Sequence, residues 1–278
     1  MKEIPKNAEV DGDCFTQYYY DFVRSNSATP HGMCLREFLN LIVHTYVDNI
    51  QCVLLFGGLV RDGAPILGWS DIDILVIFKD LMTRDPRELA NILLKLEERY
   101  GTRIDLSQAD VYELSDKRRL RACFNSEILN ALAMRSQVSE ILYGILPNIE
   151  ISREQEIYAA ISYIDNTVRL LRKYLIRETL GSHIGDNYAV CVGRITRWVF
   201  SIIRASLRLF DIYDHPYEPS LEHVAFVLPD IDLSTAFKLL AWRNQSITHT
   251  PDMTLLIETE RFVHDYVRRL FNRIGGEL

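Results

Sequence analysis

The chain has 278 residues, of which 48% are hydrophobic and 25% charged, with a formal net charge of −7. That length allows one large domain or two ordinary ones, and the apolar share can fill a core, which excludes an intrinsically disordered chain. The acidic balance argues against non-specific coating of nucleic acid by a basic surface, and no apolar run approaches the roughly 20 residues of a membrane span.

In chain order, Met1-Lys2-Glu3-Ile4-Pro5-Lys6 leads into no apolar stretch, so no secretory leader and no membrane partner are expected. Five scattered cysteines (Cys14, Cys34, Cys52, Cys123 and Cys191) include no C-x-x-C pair. They predict reduced thiols in a cytoplasmic protein rather than a disulfide framework or a zinc site. From His31 to Val47 the spacing of Leu35, Phe38, Leu39, Ile42 and Val43 predicts a helix. Cys52 to Phe56 is a short apolar run closed by Gly57-Gly58, a buried strand entering a tight turn. Ile72 to Phe78 predicts a second strand, apolar on both faces.

Asp85 as cap, Pro86 in the first turn and Glu88 three residues beyond the cap predict a helix that Gly101 stops. Its buried stripe is Leu89, Ile92, Leu93, Leu96 and Tyr100. Thr102 to Val111 predicts a third strand, and Asp116 to Tyr143 a further helix ending at Gly144. After about residue 150 the strand signal disappears. Ile157, Ile161, Ile164, Val168, Leu171 and Leu175 mark one bundle helix. A second is expected over about 187–210 and two more over about 234–248 and 255–274. An α/β half, 1–147, is thus followed by a helical half, 148–278. Cations in the helical half are almost all arginine, Lys173 and Lys238 being its only lysines. Arg194, Arg197, Arg204 and Arg208 recur on one helix, where a solvated face is the expected reading and phosphate binding the alternative.

The chemistry concentrates in Phe56-Gly57-Gly58-Leu59-Val60-Arg61 and in Ser70-Asp71-Ile72-Asp73-Ile74. Strand side chains alternate, so Asp71 and Asp73 project from one face about 7 Å apart along it. Two anions at the mouth of an apolar strand repel unless a cation neutralises them, and hard carboxylate oxygens suit Mg²⁺. A glycine pair after a strand lets the backbone approach a phosphate, and Arg61 lies one turn on. Ile104-Asp105-Leu106 adds a lone acid between apolar neighbours, with Asp110 as its rival. Three such acids beside a glycine turn would form a two-metal phosphoryl-transfer site.

Gly57-Gly58, twelve intervening residues, Asp71-Ile72-Asp73 and the later Ile104-Asp105-Leu106 resemble the signature of the nucleotidyltransferase superfamily that includes DNA polymerase β. The match runs over roughly residues 30–147 and is most similar to the minimal and the aminoglycoside nucleotidyltransferases. Glu140-Ile141-Leu142-Tyr143-Gly144 resembles the end of that domain. The resemblance implies an α+β fold: a polymerase β-like domain with a small mixed sheet, followed by an all-α bundle. It implies transfer of a nucleoside monophosphate from an NTP, ATP foremost, to an acceptor hydroxyl with release of pyrophosphate. Asp71 and Asp73 would hold Mg²⁺, Asp105 would hold a second Mg²⁺ and help deprotonate the acceptor, and Gly57, Gly58, Arg61 and Ser70 would bind the nucleotide. Many active members carry serine where this chain has Gly58. The acceptor, whether protein side chain, small molecule or RNA, is not legible.

In the helical half, Arg243-Asn244 and His249 resemble the Arg-Asn…His motif of HEPN domains over about 152–275. That implies an RNase pair, Arg243 and His249, assembled at a homodimer interface and regulated by the transferase half. His249 is followed by Thr250-Pro251 rather than the tyrosine that some such pairs adenylylate. A substrate-binding bundle, as in aminoglycoside nucleotidyltransferases, and a catalytically silent nucleotide-binding regulator stand as alternatives.

Overall fold

The computed structural model describes residues 14–61, 71–116, 124–134, 139–180, 188–213, 216–244 and 253–275. They fall into two compact units, Met1–Ile151 and Ser152–Leu278.

The first unit opens with α1 (Gln17–Ser25) and α2 (Pro30–Tyr46). Thr29 caps α2 by accepting from the Gly32 amide, with Pro30 in the first turn, and Leu35, Phe38, Leu39, Ile42 and Val43 are wholly buried along it. Strand β1 (Ile50–Phe56) runs into α3 (Gly58–Arg61), a single turn. Next come β2 (Ile72–Phe78), α4 (Pro86–Tyr100), β3 (Ile104–Asp110), α5 (Val111–Ser115), α6 (Ser126–Leu132) and β4 (Ser139–Gly144). The sheet order is β3-β2-β1-β4. β1 is antiparallel to both β2 and β4, whereas β2 and β3 are parallel. A parallel pair needs a crossover, which α4 supplies. Asp85 accepts from the Arg87 amide at its start, and Gly101 ends it in the left-handed conformation at φ 62°.

β1 and β2 are buried on both faces. Val53, Leu55, Ile72, Ile74 and Val76 join one core with α2 and α4, while Leu54 and Leu75 are equally buried on the other side. Such strands read as unbroken apolar runs, which is why β2 was visible in the sequence to its end residues.

Of the helix expected over 116–143, the described residues form only Ser126–Leu132 as helix. Its last part is β4, paired with the free edge of β1 in the register Phe56↔Ser139, Leu55↔Glu140 and Leu54↔Ile141. A six-residue apolar segment fits a strand or a helix by local pattern alone. Pairing decides it, because β4 satisfies backbone groups that β1 would otherwise leave open. Thr16 Oγ1 donates to the Ile141 carbonyl at 2.5 Å and ties α1 to this strand.

The second unit contains α7 (Arg153–Leu180), α8 (Tyr188–Leu207), α9 (Tyr217–Val227), α10 (Ser234–Asn244) and α11 (Met253–Gly275). Ile164, Val168, Leu171 and Leu175 of α7 pack with Ile195, Val199 and Ile202 of α8, and Tyr266 of α11 is fully buried among them with its hydroxyl against Ser206. Arg153 ties α7 to the turn beyond α8 through the Leu209 carbonyl at 3.0 Å and Asp211 at 3.1 Å. The solvated arginine stripe is corrected: Arg194 and Arg197 are exposed, but Arg204 and Arg208 are buried. Arg204 lies 5.2 Å from the ring centroid of Tyr217, packing its planar cation on an aromatic face. No helix among the described residues is long and apolar enough to cross a membrane.

Candidate active site

Ile72 donates its amide to the Arg103 carbonyl at 2.9 Å, which locks the start of β2 against β3. From there the parallel register sets Asp73 opposite Asp105. Residues opposed across two strands share a face, and Asp71, two before Asp73, projects to it as well. The intervening Ile72 and the following Ile74 are fully buried on the other side. Apolar burial therefore fixes which way the acids point.

Carboxylate oxygens of Asp71, Asp73 and Asp105 all lie within 4.8 Å of one another. Asp71 and Asp73 are half-buried and Asp105 is exposed. Three anions this close repel strongly, most of all the pair withdrawn from water, and a divalent cation relieves that repulsion. Mg²⁺ binds oxygen at about 2.0–2.1 Å, so two oxygens on one ion lie no more than about 4.2 Å apart. A spread of up to 4.8 Å lies just beyond that limit, so small side-chain rotations would bring the carboxylates onto one ion, and no rotation is needed for them to share two. The residues present thus suit Mg²⁺ in donor type, number and spacing.

Beyond Phe56, the residue opposite Asp73 on β1, the chain turns at Gly57 with φ 75°. Gly58 begins the short turn α3. A side chain at Gly57 would collide with Asp73, its Cβ striking Oδ2 and lying 2.9 Å from Cγ. The side chain of Arg61, and Ser70 and His249 entirely, lie outside the described residues. Asp110 is eliminated as a rival third acid. It sits at the far end of β3, where its carboxylate accepts from the Glu113 amide at 2.7 Å and caps α5. Glu140, on β4 opposite Leu55, projects to the other face, and burial pushes its carboxyl up. In the second unit Arg243 lies with its guanidinium carbon 4.1 Å from the Tyr217 ring centroid.

No protein-family model matches the chain, and no curated protein does. Among solved structures, a spectinomycin adenyltransferase AAD(9) from Enterococcus faecialis, with ATP and spectinomycin, matches with a TM-score of 0.54 at 13% identity. The match spans 86% of this chain and 98% of the other. The chain shares that adenyltransferase's fold. Two toxin–antitoxin structures, one of an MntA-HpeT mutant and one with AMP-PNP, align over 52% and 51% of this chain and 93% of theirs. Their identities are 19% and 21% and their TM-scores 0.26 and 0.23, too low to bear on the fold. Within this fold, the three acids stand at the sheet edge where β1 ends and β2, β3 and β4 begin.

Proposed function

We propose that this protein is a metal-dependent nucleotidyltransferase that moves the nucleoside monophosphate of an NTP, ATP foremost, to an acceptor hydroxyl and releases pyrophosphate. The observation that carries the reading is the convergence of Asp71, Asp73 and Asp105 at one edge of the sheet. The adenyltransferase with the same fold, whose structure holds ATP and spectinomycin, supports ATP as donor and a small-molecule hydroxyl among the acceptors.

Asp71 and Asp73 would hold Mg²⁺ from a rigid strand, and Asp105 would complete a two-ion site from the neighbouring strand. Metal held there would supply positive charge against the triphosphate and the departing pyrophosphate. Asp105 is the most exposed of the three, which leaves its carboxylate accessible to an acceptor hydroxyl. Its carboxylate takes the hydroxyl proton as the acceptor oxygen bonds to the α-phosphorus and the bond to the α–β bridging oxygen breaks. Gly57 and Gly58 bring main chain close to the phosphates, and Arg61 and Ser70 add a cation and a hydroxyl. The rest is positioning: a nucleophile held in line needs no covalent intermediate on the protein.

The test is a screen with each of the four NTPs labelled at the α-phosphate, with Mg²⁺ and whole-cell lysate as the acceptor pool. Label is expected to move from ATP into a protein, RNA or small-molecule fraction, which identifies the acceptor class. No transfer from any of the four contradicts the reading and leaves a nucleotide-binding regulator. The RNase alternative, which rests on Arg243 and His249, is separated by metal-free RNA cleavage that His249→Ala abolishes. No observation among the described residues favours it.

A further inference from the structure

We propose that Gly57 is a positioning residue for the Asp73 carboxylate, holding it where a divalent cation can use it by having no side chain of its own. The inference rests on the metal-site reading of Asp71, Asp73 and Asp105 and adds a role distinct from approaching phosphate.

Two features of Gly57 are separable. Its φ of 75° lies in the left-handed region that L side chains resist. Independently, a Cβ there would strike Oδ2 of Asp73 and lie 2.9 Å from Cγ and 3.2 Å from Cβ of the same residue. These three contacts are all with one side chain, and they tighten along it from Cβ to the carboxylate. Turning the carboxylate about its own axis leaves the Cγ contact in place. Relief therefore requires a rotation of the whole side chain, which carries both oxygens away. Neighbours on both strands resist a compensating backbone shift, since Ile72 and Ile74 are fully buried and Asp73 is in register with Phe56 and Asp105. Mg²⁺ demands near-ideal octahedral geometry at about 2.0–2.1 Å and does not follow a displaced ligand. An alanine at this position would dislodge a metal ligand and leave the sheet standing.

Two other glycines provide internal controls. Gly101, at φ 62°, has nothing within 4 Å of a built Cβ, so alanine there carries the conformational cost alone. Gly144, at φ 73°, would collide with the Gln51 carbonyl oxygen, so alanine there adds a clash remote from the acids.

The experiment measures Mn²⁺ affinity by electron paramagnetic resonance, together with thermal stability, for the full chain and for Gly57→Ala, Gly101→Ala and Gly144→Ala. Gly57→Ala should weaken Mn²⁺ binding by roughly 10–100-fold, the range seen when a residue that orients a ligand is lost. Both controls should keep wild-type affinity despite lower melting temperatures. A stability cycle with Asp73→Ala supplies a readout that needs no metal. Because Asp73→Ala removes the colliding Oδ2 and Cγ, the loss of melting temperature caused by Gly57→Ala should shrink in that background. Should Gly57→Ala alone fail to fold, recovery of folding in the double variant supports the proposal. Unchanged Mn²⁺ affinity in a folded Gly57→Ala variant, or an equal stability loss in both backgrounds, overturns it. If the wild-type chain binds no Mn²⁺, the metal-site reading fails, and the stability cycle alone decides whether Gly57 positions Asp73.

Discussion

Asp73 and Asp105 are 32 positions apart in sequence and become neighbours through one structural decision, the parallel pairing of β2 with β3. The same two-residue period that buries Ile72 and Ile74 turns Asp71 and Asp73 outward, so hydrophobic burial and ligand placement share a cause. Replacing Asp105 by Asn keeps the shape but removes a charge and a proton acceptor. Asp105→Asn should lower transfer about 100-fold or more while leaving the melting temperature equal to or above that of wild type, because repulsion among the acids falls. A melting temperature well below wild type would show that the triad is structural. The cysteines give a pH test. Burial pushes the Cys34 and Cys52 thiols up to about 12, whereas Cys14 is exposed. Iodoacetamide at pH 8, read by mass spectrometry, should label Cys14 and spare Cys34 and Cys52. For these two thiols the folded state holds its proton where the unfolded chain, with an ordinary thiol pKa of 9.0, has lost it. Stability should consequently fall as pH rises above about 9. Denaturation midpoints flat from pH 8 to 11 would contradict this.

Elements differ in how openly they declare themselves. β2 and α4 were legible because each carries its own signal: an apolar run in the first, and Asp85, Pro86 and Gly101 as start and stop marks in the second. β4 reads locally as helix because its identity comes from β1, more than eighty residues earlier, and no local pattern contains that partner. The same limit applied to the site. Its three acids and glycine turn stood out as motifs, whereas the packing of Gly57 on Asp73 is a contact between strands that only the register creates. The left-handed glycines translate this difference into stability. Gly101→Ala should cost about 1 kcal/mol from conformation alone. Gly144→Ala should cost roughly 3 kcal/mol, because the new Cβ also meets the Gln51 carbonyl. Urea denaturation of the two variants measures both, and equal costs would mean that β1 and β4 are not held as closely as described.

At the scale of the whole molecule, each unit has a hydrophobic core built from its own residues, Tyr19 to Tyr143 in one and Ile164 to Leu270 in the other. Separate cores predict separable unfolding. Leu171→Ala, at a fully buried position in α7, should lower the transition of the helical unit by about 2–5 kcal/mol and leave that of the sheet-bearing unit in place. Calorimetry showing both transitions displaced together would contradict two independent domains. The expected division into a sheet-bearing half and a helical half rests on where strand signals stop in the sequence. The acceptor was not, since its recognition depends on surfaces that no linear motif encodes. The role of the three acids is tested most directly by transfer from α-labelled ATP into lysate, comparing wild type with folded Asp73→Asn. Transfer that requires Mg²⁺ and falls at least about 100-fold in the variant is the predicted result. Transfer that persists at the wild-type rate in Asp73→Asn, or continues after chelation of divalent cations, would contradict it.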